Sequence, residues 1–128
     1  MGFEFNSGGA DDSLLRVTVF ADDLNYPVGM TELADGSLLV AVTNGSSYFG
    51  GTSGSLMRLA DEDGDGVADV RQTLVSDVPH GKVTAVERVD DLVVVTGQGA
   101  GAPITIYRTG AAVDDPFTAI GSFTLTYP

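Results

Sequence analysis

The chain has 128 residues and a mass of 13.2 kDa, room for one domain that can bury roughly two-thirds of its unfolded surface. Apolar residues make up 43% of it and charged residues only 19%, which excludes a disordered, highly charged polymer. Eighteen acidic side chains against six basic ones give a net charge of −12, which repels phosphate backbones and anionic lipid, so nucleic-acid binding is excluded.

The opening MGFEFNSGGADDS reads as a flexible segment over 1–14. It has neither the basic start nor the apolar stretch of a secretory signal, and no later apolar run approaches the about 20 residues needed to span a bilayer. No membrane insertion is expected, and the chain reads as a soluble or already processed form.

From residue 15 onward no window of helical length carries a 3.6-residue apolar period, whereas 16 Val, 12 Thr and 17 Gly favour short strands with tight connections. Fourteen Asp against four Glu point the same way, since Asp is a turn residue where Glu forms helices. The predicted strands are 15–21, 28–33, 37–43, 55–60, 70–76, 83–89, 92–96, 104–108 and 117–125. Asp35-Gly36 gives a hairpin signal between the second and third of these, and Asp90-Asp91 does the same between the sixth and seventh. With no cysteine, the chain has no disulfide, thiolate nucleophile or sulfur metal site.

The hairpins fall at equivalent places in an internal repeat. RVTVFADDLNYP, VGMTELADGSLLVAVTNG and GSLMRLAD are echoed by RQTLVSDVPHG, VTAVERVDDLVVVTGQG and APITIYRTG, and a third echo begins at IGSFTLTYP. A period of about fifty residues holding four strands describes a β-propeller blade. The expected fold is therefore all-β, with two blades over about 15–70 and 71–128. Propellers close with roughly four to eight blades, so further blades or copies of the chain itself, as a homo-oligomer, are the expected partners. A small self-contained β-sandwich with two similar hairpins is the alternative.

The clearest chemistry lies in DEDGDGVAD, residues 61–69, which places carboxylates at Asp61, Asp63, Asp65 and Asp69, loop positions 1, 3, 5 and 9. Alternate positions of a tightly wound loop point at one oxygen-lined cavity, Gly66 at position 6 permits the sharp turn, and position 7 offers the Val67 carbonyl. Ca2+ in a structural role is the expected occupant. Mg2+ fits less well because it demands a small rigid octahedron, and a solvated acidic hairpin is the alternative without metal. Position 12 is Gln72 in place of a bidentate Glu, and the flanks read as strands, which argues against an EF-hand. Over these nine residues the loop resembles the calcium-binding hairpins of the integrin alpha-chain propeller (FG-GAP repeats), in which an Asp at the ninth position replaces the missing ligand.

His80, the only histidine, follows the strand at 70–76 and is a candidate general base; a loop histidine covering a blade edge is the blander reading. The glycine run GQGAGA, residues 97–102, is followed by Pro103 and a strand, not by the helix that a dinucleotide fingerprint must open, so it reads as a wide turn. The long loop at 43–55 carries Tyr48 and Phe49, which could line a ligand site or anchor a solvated excursion.

LNYPVGMTELADGSLLVA (24–41) followed by GSLMRLADEDGDGVADV (54–70) resembles the opening blades of the PQQ-dependent glucose/sorbosone dehydrogenase family. The resemblance extends over residues 16 to about 126 and implies a six-bladed, secreted propeller acting on sugars. HGKVTAVERVDDLVVVTGQ (80–98) is similar to the family segment whose histidine accepts a proton from the sugar hydroxyl as hydride passes to PQQ, a role the resemblance gives to His80. Gln98 stands where the family has Asp, and the later blades that hold the cofactor are not in this sequence. The resemblance thus implies an extracellular or periplasmic parent oxidoreductase, PQQ binding only in a complete propeller, a possible carbohydrate partner, and no catalysis by these residues alone.

Overall fold

The computed structural model describes residues 2, 3, 16–78, 82–99 and 101–125. Among them there is no helix; the strands are β1 (Gly2–Phe3), β2 (Val17–Thr18), β3 (Pro27–Glu32), β4 (Leu38–Thr43), β5 (Gly54–Ala60), β6 (Val70–Val78), β7 (Lys82–Val89), β8 (Leu92–Gln98), β9 (Pro103–Arg108) and β10 (Thr118–Thr124). They form two four-stranded antiparallel meanders, β3-β4-β5-β6 and β7-β8-β9-β10, and a two-stranded ribbon of β1 with β2. The fold is all-β, with two propeller-like blades that do not close into a ring.

Strand positions follow the sequence pattern closely, with two differences in organisation. The stretch at 15–21 keeps only Val17–Thr18 as strand, paired with Gly2–Phe3 from the segment read as flexible. The sequence repeat is also offset by one strand from the sheets. Strand β6 is hydrogen-bonded to β5 from Ala60↔Val70 to Gly54↔Val78, so the first sheet runs to Val78 and a division at 70/71 would cut through it. In each sheet the last strand is thus the one with which the sequence repeat begins.

The turns are those that local chemistry dictates. At the β3-β4 connection Asp35 Oδ1 accepts the Ser37 amide at 3.1 Å, and Gly36 takes φ of 86°, where a Cβ would be unfavourable. The shorter β7-β8 connection forces Asp90 to φ of 54°, which Asp tolerates better than most residues.

The two sheets stack face to face with β3 beside β7. Leu33, Leu39, Ala41, Leu56, Leu74 and Val78 of the first sheet meet Val83, Val86, Val93, Val95 and Tyr107 of the second in one buried cluster. Glycine allows the close approach: a Cβ on Gly29 would stand 3.4 Å from the Val86 nitrogen, and one on Gly54 would collide with the Val83 side chain. At the margin, Arg88 donates from Nε to the Glu32 carbonyl at 2.6 Å and from its amide to Thr31 Oγ1 at 3.4 Å. The far side of the first sheet, built from Val40, Val42 and Leu59, is covered by Phe20, Ala21 and Leu24 of a strap formed by residues 16–24.

Candidate metal centre

The acidic loop joins β5 to β6. Its shape is set by side chains that bond their own backbone. Asp61 accepts the Gly64 amide on Oδ1 at 2.7 Å and the Gly66 amide on Oδ2 at 2.8 Å; Asp63 Oδ1 accepts the Asp65 amide at 3.1 Å, and Asp65 Oδ1 the Val67 amide at 2.8 Å. These are Asx-type turns wound one after another. Gly64 and Gly66 supply the left-handed conformations the winding needs, with φ of 77° and 88°.

The winding brings Asp61, Asp63 and Asp65 together, each with a carboxylate oxygen within 4.8 Å of the others. Oxygens that share a calcium ion at about 2.4 Å can lie no farther apart than about 4.8 Å, a limit that these three carboxylates meet. Each oxygen that accepts an amide keeps a lone pair for a cation. The Gly66 amide above all holds the Asp61 carboxyl below its ordinary pKa; desolvation opposes it, and the Gly64 and Asp65 amides and the Asp63 side chain add to the lowering. An all-oxygen, carboxylate-rich donor set of this kind suits a hard cation.

The other predicted ligands stand differently. Asp69 is not in the trio: its Oδ2 accepts the amides of Glu62 at 2.8 Å and Asp63 at 3.3 Å, and so clamps the end of the loop to its beginning. Val67 lies in the last turn, its amide on Asp65 and its side chain 36% exposed.

Sequence reasoning missed that the N-terminal strap is tied to this loop. Arg16 donates to the Asp65 carbonyl at 2.8 Å, Thr18 Oγ1 to the Gly66 carbonyl at 2.9 Å, and the Ala68 amide to the Phe20 carbonyl at 2.8 Å. Arg71 closes the arrangement with an ion pair to Asp22 at 2.9 Å, which lowers the Asp22 pKa. These partners lie up to 49 residues apart, a separation at which no local pattern signals a contact.

His80 lies outside the described residues, and Gln98 is exposed at the end of β8. Of the glycine run at 97–102, Gly97 and Gln98 end β8, the Ala102 amide donates to the Gly99 carbonyl at 3.1 Å, and β9 rather than a helix follows at Pro103. In the loop at 43–55, Tyr48 and Phe49 meet edge to face with centroids 5.2 Å apart, and Phe49 is 80% exposed. Tyr26 and Asn25 fasten this loop through the Ser46 and Gly45 carbonyls at 3.0 and 3.1 Å.

A second polar feature recurs between the sheets. Arg58 pairs with Asp35 of the first hairpin turn at 2.8 Å, and Arg108 with Asp91 of the second at 3.1 Å. The registers Leu39↔Arg58 and Leu92↔Arg108 place the two pairs at equivalent points of their sheets. Burial disfavours the charged form of Asp35, yet the hydrogen bonds from Ser37 and Arg58 outweigh it and hold the carboxyl at about 2. In comparisons with known proteins, no family model, no curated protein and no solved structure matches this chain.

Proposed function

We propose that this chain is a two-blade portion of a calcium-stabilised, sugar-dehydrogenase-like propeller, without catalytic activity of its own. The observation that carries the reading is the wound acidic loop, with three carboxylates gathered within 4.8 Å of one another, on a sheet that stacks against its own repeat. In this reading Asp61, Asp63 and Asp65 hold Ca2+ directly, the Val67 carbonyl and solvent complete the shell, and Asp69 keeps the loop wound. The ion neutralises charges that repel one another and fixes the connection between β5 and β6, a structural role.

The sugar and PQQ part rests on the resemblance of 24–41, 54–70 and 80–98 to glucose/sorbosone dehydrogenases. PQQ, when bound in a complete propeller, would accept the hydride, and His80 would take the proton of the sugar hydroxyl. The family acts outside the cytoplasm, where free calcium suits a site of this kind. A self-assembling, calcium-stabilised structural or ligand-binding β-propeller module is the second reading, favoured by the partly exposed apolar residues on the outer side of the second sheet.

Thermal melting with calcium and with chelator tests the metal. A ligand bound only by the folded state at 100 times its Kd adds about 2.7 kcal/mol, so the Tm should rise by several degrees in calcium, and Asp61→Asn should abolish the rise. An unchanged midpoint overturns the metal assignment. Dye reduction with PQQ and aldoses tests the rest: turnover by the chain alone contradicts its lack of activity.

A further inference from the structure

The two sheets stack in one sense, like on unlike. Aligning the repeats through the register equates Leu39, Ala41, Leu56 and Arg58 of the first sheet with Leu92, Val94, Ile106 and Arg108 of the second. The first three are 0% exposed because the second sheet lies on them, through a face that carries Val93, Val95 and Tyr107. The equivalents of those covering residues on the first sheet, Val40, Val42 and Met57, point the opposite way, under the strap. The stack therefore repeats by rotation, not by a two-fold axis as two mirrored sheets would.

Among the described residues, one side of the second sheet remains open as a result. Leu92, Val94, Ile104 and Ile106 are only partly buried there, and Val89 and Phe123 beside them are 62% and 48% exposed. The recurring ion pair shows the same contrast. The Arg58 and Asp35 side chains are 10% and 31% exposed, while those of Arg108 and Asp91 are 57% and 60% exposed.

We propose that this open face of the second sheet is the seat for one more four-stranded unit of the same repeat. Resting on the two-blade reading, the inference names the partner and the direction. The occupant presents a face like that of Val83, Val86, Val93 and Val95, with small β-branched residues on a strand laid beside β7. The arrangement is continuous with the interface already present between the two sheets, and equivalent positions there are sealed completely. The corresponding side of the first sheet is covered by Phe20, Ala21 and Leu24 of the strap, so among the described residues the face of the second sheet is the one left without a cover.

The absence of cysteine makes a clean test. A Val94→Cys substitution gives a single thiol on the open face, whose reaction with a disulfide reagent is timed in the 128-residue chain. The rate is then timed in an extended chain with a second copy of residues 80–128 appended after Pro128, a residue the repeat equates with Pro79. The proposal expects the thiol to react at least about tenfold more slowly in the extended chain, as a buried cysteine does. Equal rates overturn it. Protection that grows with the concentration of the unextended chain, together with a doubled mass, assigns the face to a second copy and overturns it too.

A second measurement does not depend on the extension folding. Val94→Lys combined with Ile106→Lys in the 128-residue chain should shift the Tm by less than about 3 °C and reduce binding of a hydrophobic dye. A larger fall in Tm means that the chain covers this face itself. Both experiments are run in calcium and in chelator: protection that persists in chelator leaves this inference standing whatever becomes of the metal assignment.

Discussion

Gly54→Ala probes the contact between the sheets at its tightest point. Gly54 opens β5, is buried, and takes no left-handed φ, so the glycine is there for space and not for backbone freedom. An added Cβ would collide with the Val83 side chain of the second sheet and stand 2.8 Å from the Val42 carbonyl. The valine can shift, but the carbonyl belongs to a paired strand and moves only with it. Overpacking of this kind costs about 1–3 kcal/mol. At roughly 3–5 °C per kcal/mol for a chain of this size, the Tm should fall by about 3–15 °C in a melt followed by far-UV circular dichroism. The clash has two sources, so Val83→Ala should relieve it in part. Alone, that change should cost about 2 kcal/mol for its lost methyl groups. In the double variant the two effects should fall short of their sum by at least about 1 kcal/mol. Additivity within about 0.5 kcal/mol would refute the close approach of Gly54 to Val83, and with it the described packing of the second sheet on the first.

The Asp35 pKa of about 2, against an ordinary 3.8, sets a pH dependence. A carboxyl depressed on folding stabilises above its unfolded value and loses that contribution as pH falls from about 4 through about 2. Asp35→Asn should therefore cost on the order of 1 kcal/mol at neutral pH, solvent screening reducing the effect at this partly exposed group, and almost nothing near pH 2, read by denaturant unfolding at each pH; an equal cost at both would sink the assignment. Leu56→Ala, at a site 0% exposed, should cost about 2–5 kcal/mol, while Ile106→Ala at the equivalent open position should cost about 1 kcal/mol or less. Equal losses would mean that the two positions are not equivalent.

Much of this architecture is legible in the residues because β-structure and turns are local. The abundance of Val, Thr and Gly without a helical period marks the strands, Asp35-Gly36 and Asp90-Asp91 mark the hairpins, and the spacing of Asp61, Asp63 and Asp65 marks a loop that winds on itself. Such features depend on neighbours two to five residues away. The offset between repeat and sheet was not legible, because a strand's pattern does not say which neighbour it pairs with: β6 carries the same signature whether it joins β5 or begins a new unit. Nor was the role of Asp69, since a carboxylate at a ligand position looks the same whether it faces an ion or the amides of Glu62 and Asp63. Arg16, Thr18 and Arg71 gave no signal at all, because their partners lie almost fifty residues distant.

The strap has a practical corollary. Residues 16–24 shield Val40, Val42 and Leu59 as a single thickness of chain, fastened mainly through the acidic loop. A protease cut or a shortened start that removed them would strip three core side chains together, turning a finished end into an adhesive one prone to aggregate. The integrity of that short ribbon, more than the strength of any one contact inside the sheets, would then decide how long a preparation stays clear.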